Sequence, residues 1–496
     1  MEKFFNASME KKLEKQQSEN KSLELREEEE EEEEVADDKL ILSKPKLRYI
    51  RATLEILRSE DGLDGEKVNW KELSEQVGDY NSILELSENI REIVLKYVEK
   101  KIPVIKEKIP NLADLADKNL INALANNWFE EIEDKISGKR REILLMVMAQ
   151  IVKRIETKIY LDIIKNANEE DLKKIGIEEC YKDLLVQILD ISTRANPLFV
   201  RFCAYAQLSP TPPEETTEVA LHLPGKDKNF YTIASLFPHE TKSISQKFNS
   251  LAIDNQKWIN KQGGDVFKQY LEEQAKLFSE IDPKIAKNSQ KKIEQLYSKL
   301  IASDFPIIIT PAGGYRKVPY SDPELKISIT AYDTKEQARA FEKTRDVMVD
   351  CLDEININQN KEKENMKSCS IKTAVSIGAN GANLAFNSVA EITDTSILLY
   401  LNDQIRRFDK NFPTFANLIT NTDQEFADIE ESDRIKFMEK MSQINTILHE
   451  ISHSVYPTES EEAKRIGGIQ ELNIDEIKAE NLYRALVPSV ISRGGG

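Results

Sequence analysis

Apolar residues recur at three- and four-residue intervals along much of the chain. Leu144, Val147, Ile151, Ile155 and Ile159 form one such stripe, and Leu184, Leu185, Ile188, Leu189 and Ile191 form another. This spacing predicts helices with buried faces across about residues 46–201. Pro210, Pro212 and Pro213 then mark a loop, and helical periodicity returns over 244–301. The texture changes at Asp304. Phe305-Pro306-Ile307-Ile308-Ile309-Thr310 is a short β-branched run, and Leu325 to Thr330 alternates apolar and polar residues. Two strands near 305–331, flanking a loop over 311–323, are predicted there. Residues 334–352 read as helix, 356–368 as a polar connector, and Gly378-Ala379-Asn380-Gly381-Ala382-Asn383 as a turn. The remainder reads as helical to its end. The expected class is mostly α with a minor β portion (α+β).

Charge changes the picture at the amino terminus. Eight consecutive glutamates, Glu27–Glu34, repel one another and offer nothing to bury, so residues 1–45 read as an acidic disordered tail. Over the whole chain the 40% hydrophobic content supplies ample material for a core. The net charge of −18 opposes general binding to nucleic acid. Four scattered cysteines (Cys180, Cys203, Cys351 and Cys369) form no disulfide framework. No signal peptide is visible, and the longest apolar run, Ile143–Val152, falls short of the roughly 20 residues a spanning helix needs. A cytoplasmic protein that binds neither nucleic acid nor membrane is the expectation.

The chemistry concentrates in Thr446-Ile447-Leu448-His449-Glu450-Ile451-Ser452-His453. Two of the chain's four histidines stand four residues apart, with a glutamate directly after the first. On a helix these imidazoles share one face and can grip a single metal ion, while Glu450 reaches a water on that ion. Phe437, Met441, Ile444, Leu448 and Ile451 keep helical spacing, Asp433 suits the N-cap, and Pro457 stops the run.

A catalytic zinc ion needs a third protein ligand and an open position. Glu476 lies 23 residues beyond His453, past the Gly467-Gly468 loop. Glu480 follows one turn later on the same face, placed to accept a hydrogen bond from a ligating histidine. Asn473 and Glu476 also have the spacing of a helix capping box, so the ligand role competes with a purely structural one. Glu471 and Asp475 are the other acidic candidates. With zinc at His449, His453 and Glu476 and with Glu450 as general base, the expected reaction is hydrolysis of an amide, foremost a peptide bond.

Asp475-Glu476-Ile477-Lys478-Ala479-Glu480 resembles the Glu-Glu-x-Arg-Ala-Glu signature of the dipeptidyl peptidase III family of zinc peptidases. That resemblance places the family's zinc-binding glutamate on Glu476. The turn from Gly378 to Asn383 is similar to the family's Gly-x-Asn-x-x-Asn segment, which implies that Asn380 and Asn383 hold the substrate backbone. Tyr320-Ser321-Asp322-Pro323 looks like its Tyr-x-Asp-Pro segment, which implies that Tyr320 stabilises the tetrahedral intermediate. Taken as residues alone, the turn formers at 378–383 also make an ordinary turn, and Tyr315 competes with Tyr320.

The resemblance further implies two lobes around a cleft. A substrate-facing lobe of residues 46–389 would oppose a helical zinc-binding catalytic part at 390–496. This chain has the shorter His-Glu-x-x-His form, carries Val318 where the family has a glutamate for the substrate's amino terminus, and runs 16 residues past Glu480. A divergent, C-terminally truncated member acting on short peptides is the expectation. The alternative is an inactive zinc-binding relative that serves as a peptide-binding or interaction protein.

Overall fold

The computed structural model describes residues 36–58, 68–108, 138–209, 222–227, 229–254, 257–310, 325–351, 370–377, 390–393 and 396–401, with single positions near 364–368, at 430 and in 448–452. The helices are α1 (Lys44–Arg58), α2 (Trp70–Glu75), α3 (Ile83–Lys108), α4 (Gly138–Asn166), α5 (Glu169–Lys174), α6 (Lys182–Leu208), α7 (Ile233–Leu236), α8 (Pro238–Ile253), α9 (Gly264–Leu277), α10 (Pro283–Ala302) and α11 (Tyr332–Cys351). The strands are β1 (His222–Pro224), β2 (Phe230–Thr232), β3 (Ile307–Ile309), β4 (Ile327–Ile329), β5 (Ser370–Ile377), β6 (Ala390–Thr393) and β7 (Ser396–Tyr400). The mostly α class with a minor β portion holds.

The helices form where periodicity and end chemistry agree. All five residues of the Leu144–Ile159 stripe are buried, and they carry α4 against α6. Asn168 and Asp171 form a reciprocal capping box at the start of α5. Asp282 caps α10 by accepting from the Lys284 and Ile285 amides at 2.8 and 3.4 Å, and Pro283 supplies a pre-set first position. Gly263, ahead of α9, has φ +77°, and a Cβ there would meet the Ser303 side chain at 2.6 Å. Helices α8, α9 and α10 pack in succession.

Residues 36–45 correct the expected extent of the acidic tail. Ala36 and Leu40 are fully buried, Leu40 bridges Gly225, and α1 is already under way at Lys44. Lys39 donates to the Ser235 carbonyl at 2.9 Å, and the Asp37 carboxylate accepts from Arg51 at 2.8 Å. Among the described residues the packed chain therefore begins at Ala36.

The sheet is larger than two strands. Among the described residues it has five, in the order β3-β4-β5-β7-β6, antiparallel except for the parallel pair β5–β7. Residues 390–393 and 396–400, read as helical, are β6 and β7, so the expected division at 389/390 falls between strands of one sheet. Ile307, Ile309, Ile327, Ile329, Val375 and Ile377 share one apolar face. The opposite face carries Lys326, Ser328 and Ser376, and it too is buried. One contiguous apolar core runs from Ala36 to Tyr400. Among the described residues no helix is long and apolar enough to cross a membrane.

Candidate metal centre

Three positions of the expected metal-binding segment are described. Leu448, His449 and Ser452 have helical backbone, and the Ser452 hydroxyl donates to the Leu448 carbonyl one turn back at 2.7 Å. Leu448 and Ser452 are both fully buried, so this edge of the helix faces the interior. His449 stands about 100° around the axis from Leu448 and is half-buried. It therefore sits at the border between core and solvent. A half-buried imidazole on helical backbone fits the donor chemistry of zinc. Glu450, His453, Glu476 and Glu480 lie outside the described residues. Among the described residues no group of three or more metal-ligating side chains occurs, and His449 is the one expected ligand they contain.

Tyr320, Asn380 and Asn383 also lie outside the described residues, but the strands that carry their segments are placed. Ile309, Ile327 and Ile377 are aligned neighbours across β3, β4 and β5. The connection containing Tyr320 leaves Ile309 and returns at Ile327. The segment containing Asn380 and Asn383 leaves Ile377. Antiparallel pairing puts these departures at the same end of the sheet. Strand β7 runs parallel to β5, so the chain leading from Tyr400 toward His449 departs from that end as well. Adjacent strands are about 4.8 Å apart, so Ile309 and Ile377 lie roughly 10 Å from one another.

That end is firmly held. The Thr310 amide donates to the Lys326 carbonyl at 2.9 Å and closes the neck of the connection bearing Tyr320. Tyr270 of α9 donates its hydroxyl to the Ile309 carbonyl at 2.8 Å, and the Gln274 amide donates to that hydroxyl at 2.9 Å. On the other side, buried Asn196 of α6 accepts from the Leu325 amide at 2.8 Å and donates to its carbonyl at 3.4 Å. Both arms of the connection are thus fixed to separate helices.

Lys326 and Tyr400, both at this end, escaped the sequence reading. Lys326 is only 2% exposed, and its ammonium sits 4.2 Å from the centroid of the buried Tyr400 ring. A cation over an aromatic face is favourable and is strengthened by desolvation. Alternation along Leu325–Thr330 marked the strand but not the burial of its polar side. At the opposite end of β5, burial pushes the Lys372 amine below the ordinary lysine range, with Asp304 opposing that shift from 3.7 Å.

Protein-family models, curated proteins and solved structures were compared with the chain, and none matches it.

Proposed function

We propose that the chain is a zinc-dependent peptidase of the dipeptidyl peptidase III type, acting on short peptides. The observation that carries this reading is the placement of His449 and His453 four residues apart with Glu450 between them, on a segment whose described positions are helical. His449, His453 and Glu476 would hold the ion, and Glu480 would orient a ligating imidazole. A zinc ion bound there would polarise the scissile carbonyl and acidify a water. Glu450 takes the proton from the attacking water and returns it to the leaving amine, so both half-steps use one carboxylate. Asn380 and Asn383 would align the peptide backbone, and the Tyr320 hydroxyl would donate to the developing oxyanion. The common origin of their segments at one end of the sheet supports that division of labour.

The test is Glu450→Gln. The substitution keeps the size of the side chain but removes the base. Turnover of a short-peptide library should fall by about 10²–10⁴-fold with zinc still bound at one equivalent. Unchanged turnover in that variant overturns the mechanism. A wild-type chain that binds one zinc and cleaves nothing would instead be the inactive peptide-binding relative, and a chain that retains no zinc would make the histidine pair incidental.

A further inference from the structure

Two glutamines are buried on α9 and α10. Gln274 of α9 is fully buried, and Gln290 of α10 is 3% exposed. Each amide is oriented by what its nitrogen does. The Gln274 nitrogen donates to the Tyr270 hydroxyl at 2.9 Å, and that hydroxyl uses its own proton on the Ile309 carbonyl at 2.8 Å. The Gln290 nitrogen donates to the Glu294 carboxylate at 3.4 Å. Turning either amide round would set oxygen against oxygen. Both Oε1 atoms are therefore acceptors, and among the described residues neither has a donor. Two buried, unmet acceptors are costly and point to a ligand that donates.

The helix packing brings the two oxygens together. The Tyr270 and Tyr297 rings meet with centroids 6.5 Å apart, and Glu273 pairs with Lys292. Moving up α9 thus moves down α10, so the helices run antiparallel. Gln274 lies one turn beyond Tyr270, which sets it opposite Gln290, Ile293, Glu294 and Tyr297. Those four have the spacing i, i+3, i+4, i+7 of a hole that receives one side chain from a facing helix. Gln290 is one corner of the hole that Gln274 enters.

We propose that one water molecule is bound in the seam between α9 and α10 and bridges Gln274 and Gln290, donating one hydrogen to each Oε1. Two neutral acceptors call for two hydrogens on one small, uncharged group, which is what buried water supplies. The bridge extends a chain of hydrogen bonds from α10 through Gln274 and Tyr270 to the Ile309 carbonyl. It thereby ties a third element to the end of β3 from which the segment bearing Tyr320 leaves. The proposal is independent of the zinc reading, because neither glutamine belongs to the candidate centre.

A high-resolution crystal structure of the full chain tests it directly. One ordered oxygen should stand about 2.7–3.0 Å from both Oε1 atoms, and soaking in thallium(I) should place no anomalous peak there. Stability in urea supplies a second readout, through Gln274→Met, Gln290→Met and the two combined. Losing either glutamine releases a shared water and strands the other oxygen, whereas losing both strands none. The unfolding constant of the double variant should therefore rise about tenfold less than the product of the two single increases. Single effects that simply multiply, density bonded to only one of the two oxygens, a protein donor found on either oxygen, or an ion exchangeable for thallium overturns the proposal.

Discussion

Replacing Asn196 with alanine isolates the part of the scaffold that holds the segment bearing Tyr320. Asn196 is 2% exposed, and its side chain meets both backbone groups of Leu325, the residue five positions after Tyr320. The 2.8 Å bond from the Leu325 amide is of full strength, whereas the 3.4 Å contact to its carbonyl lies at the long limit and adds little. Alanine removes the acceptor and leaves a buried amide unsatisfied, which costs about 1–3 kcal/mol. We expect about 2 kcal/mol, read in urea as a lower midpoint with an unchanged m value. The same loss should raise exchange of the Leu325 amide hydrogen about 30-fold if that amide exchanges by local opening. Thr193→Ala is the matched control. Its hydroxyl bonds only to the Asp190 carbonyl within α6, so Leu325 exchange should not change. If Asn196→Ala shifts stability by less than about 0.5 kcal/mol and leaves Leu325 protected, Asn196 does not hold this strand and the anchoring account fails.

Other expectations test the body of the fold. Arg91 and Glu156 form a buried pair at 2.9 Å between α3 and α4, so Glu156→Leu alone should cost about 3–5 kcal/mol while Arg91→Met/Glu156→Leu together approaches neutrality. A double-mutant cycle in urea reads this coupling, and additive single losses would contradict it. Burial alone would raise the Asp190 carboxyl, but its hydrogen bond from Lys247 at 2.7 Å and the nearby charge of Arg194 outweigh that effect and hold it below the ordinary carboxylate range. Glu273 behaves alike, with burial opposed by Lys276 and Lys292. A depressed folded value means that the unfolded chain takes up protons first, so these groups contribute stability above about pH 4 and lose it as pH falls through their folded values. Asp190→Asn should flatten the acid limb of a stability–pH curve, and an unaltered slope would refute the assignment.

What could be read in advance follows from the range of the forces involved. Helices α4 and α6 carry their own periodic signal, because a face that packs along its whole length must repeat every three or four residues. Strand β3 was legible because proline and glycine bracket a β-branched run, and β4 because Leu325–Thr330 alternates apolar and polar residues. Strands β5 to β7 were not. Their partners are set by distant pairing, β5 with β4 across α11 and with β7 in parallel, and Ile397–Tyr400 is a short apolar run buried throughout, which has no diagnostic period. The limit of the tail was missed for a related reason. Leu40 is held by Gly225 and Lys39 by Ser235, contacts that span nearly 200 residues and leave no local mark.

The candidate site divides along the same line. The histidine pair was visible because two imidazoles four residues apart on one helix make a local pattern with fixed spacing. The arrangement around it is topological. Tyr320, the two asparagines and the approach to His449 lie far apart in sequence, yet the segments of the first two leave strand ends aligned by register at Ile309, Ile327 and Ile377, and the third leaves β7 at Tyr400, opposite Ala374 of β5. A sheet in which neighbouring strands alternate direction gathers such connections at one end without any motif to announce it. The polar face running to that end, with Lys326 buried over Tyr400, is the same effect in side chains. Alternation told where Lys326 points, and only the elements packed from other parts of the chain determine that it points into protein instead of water.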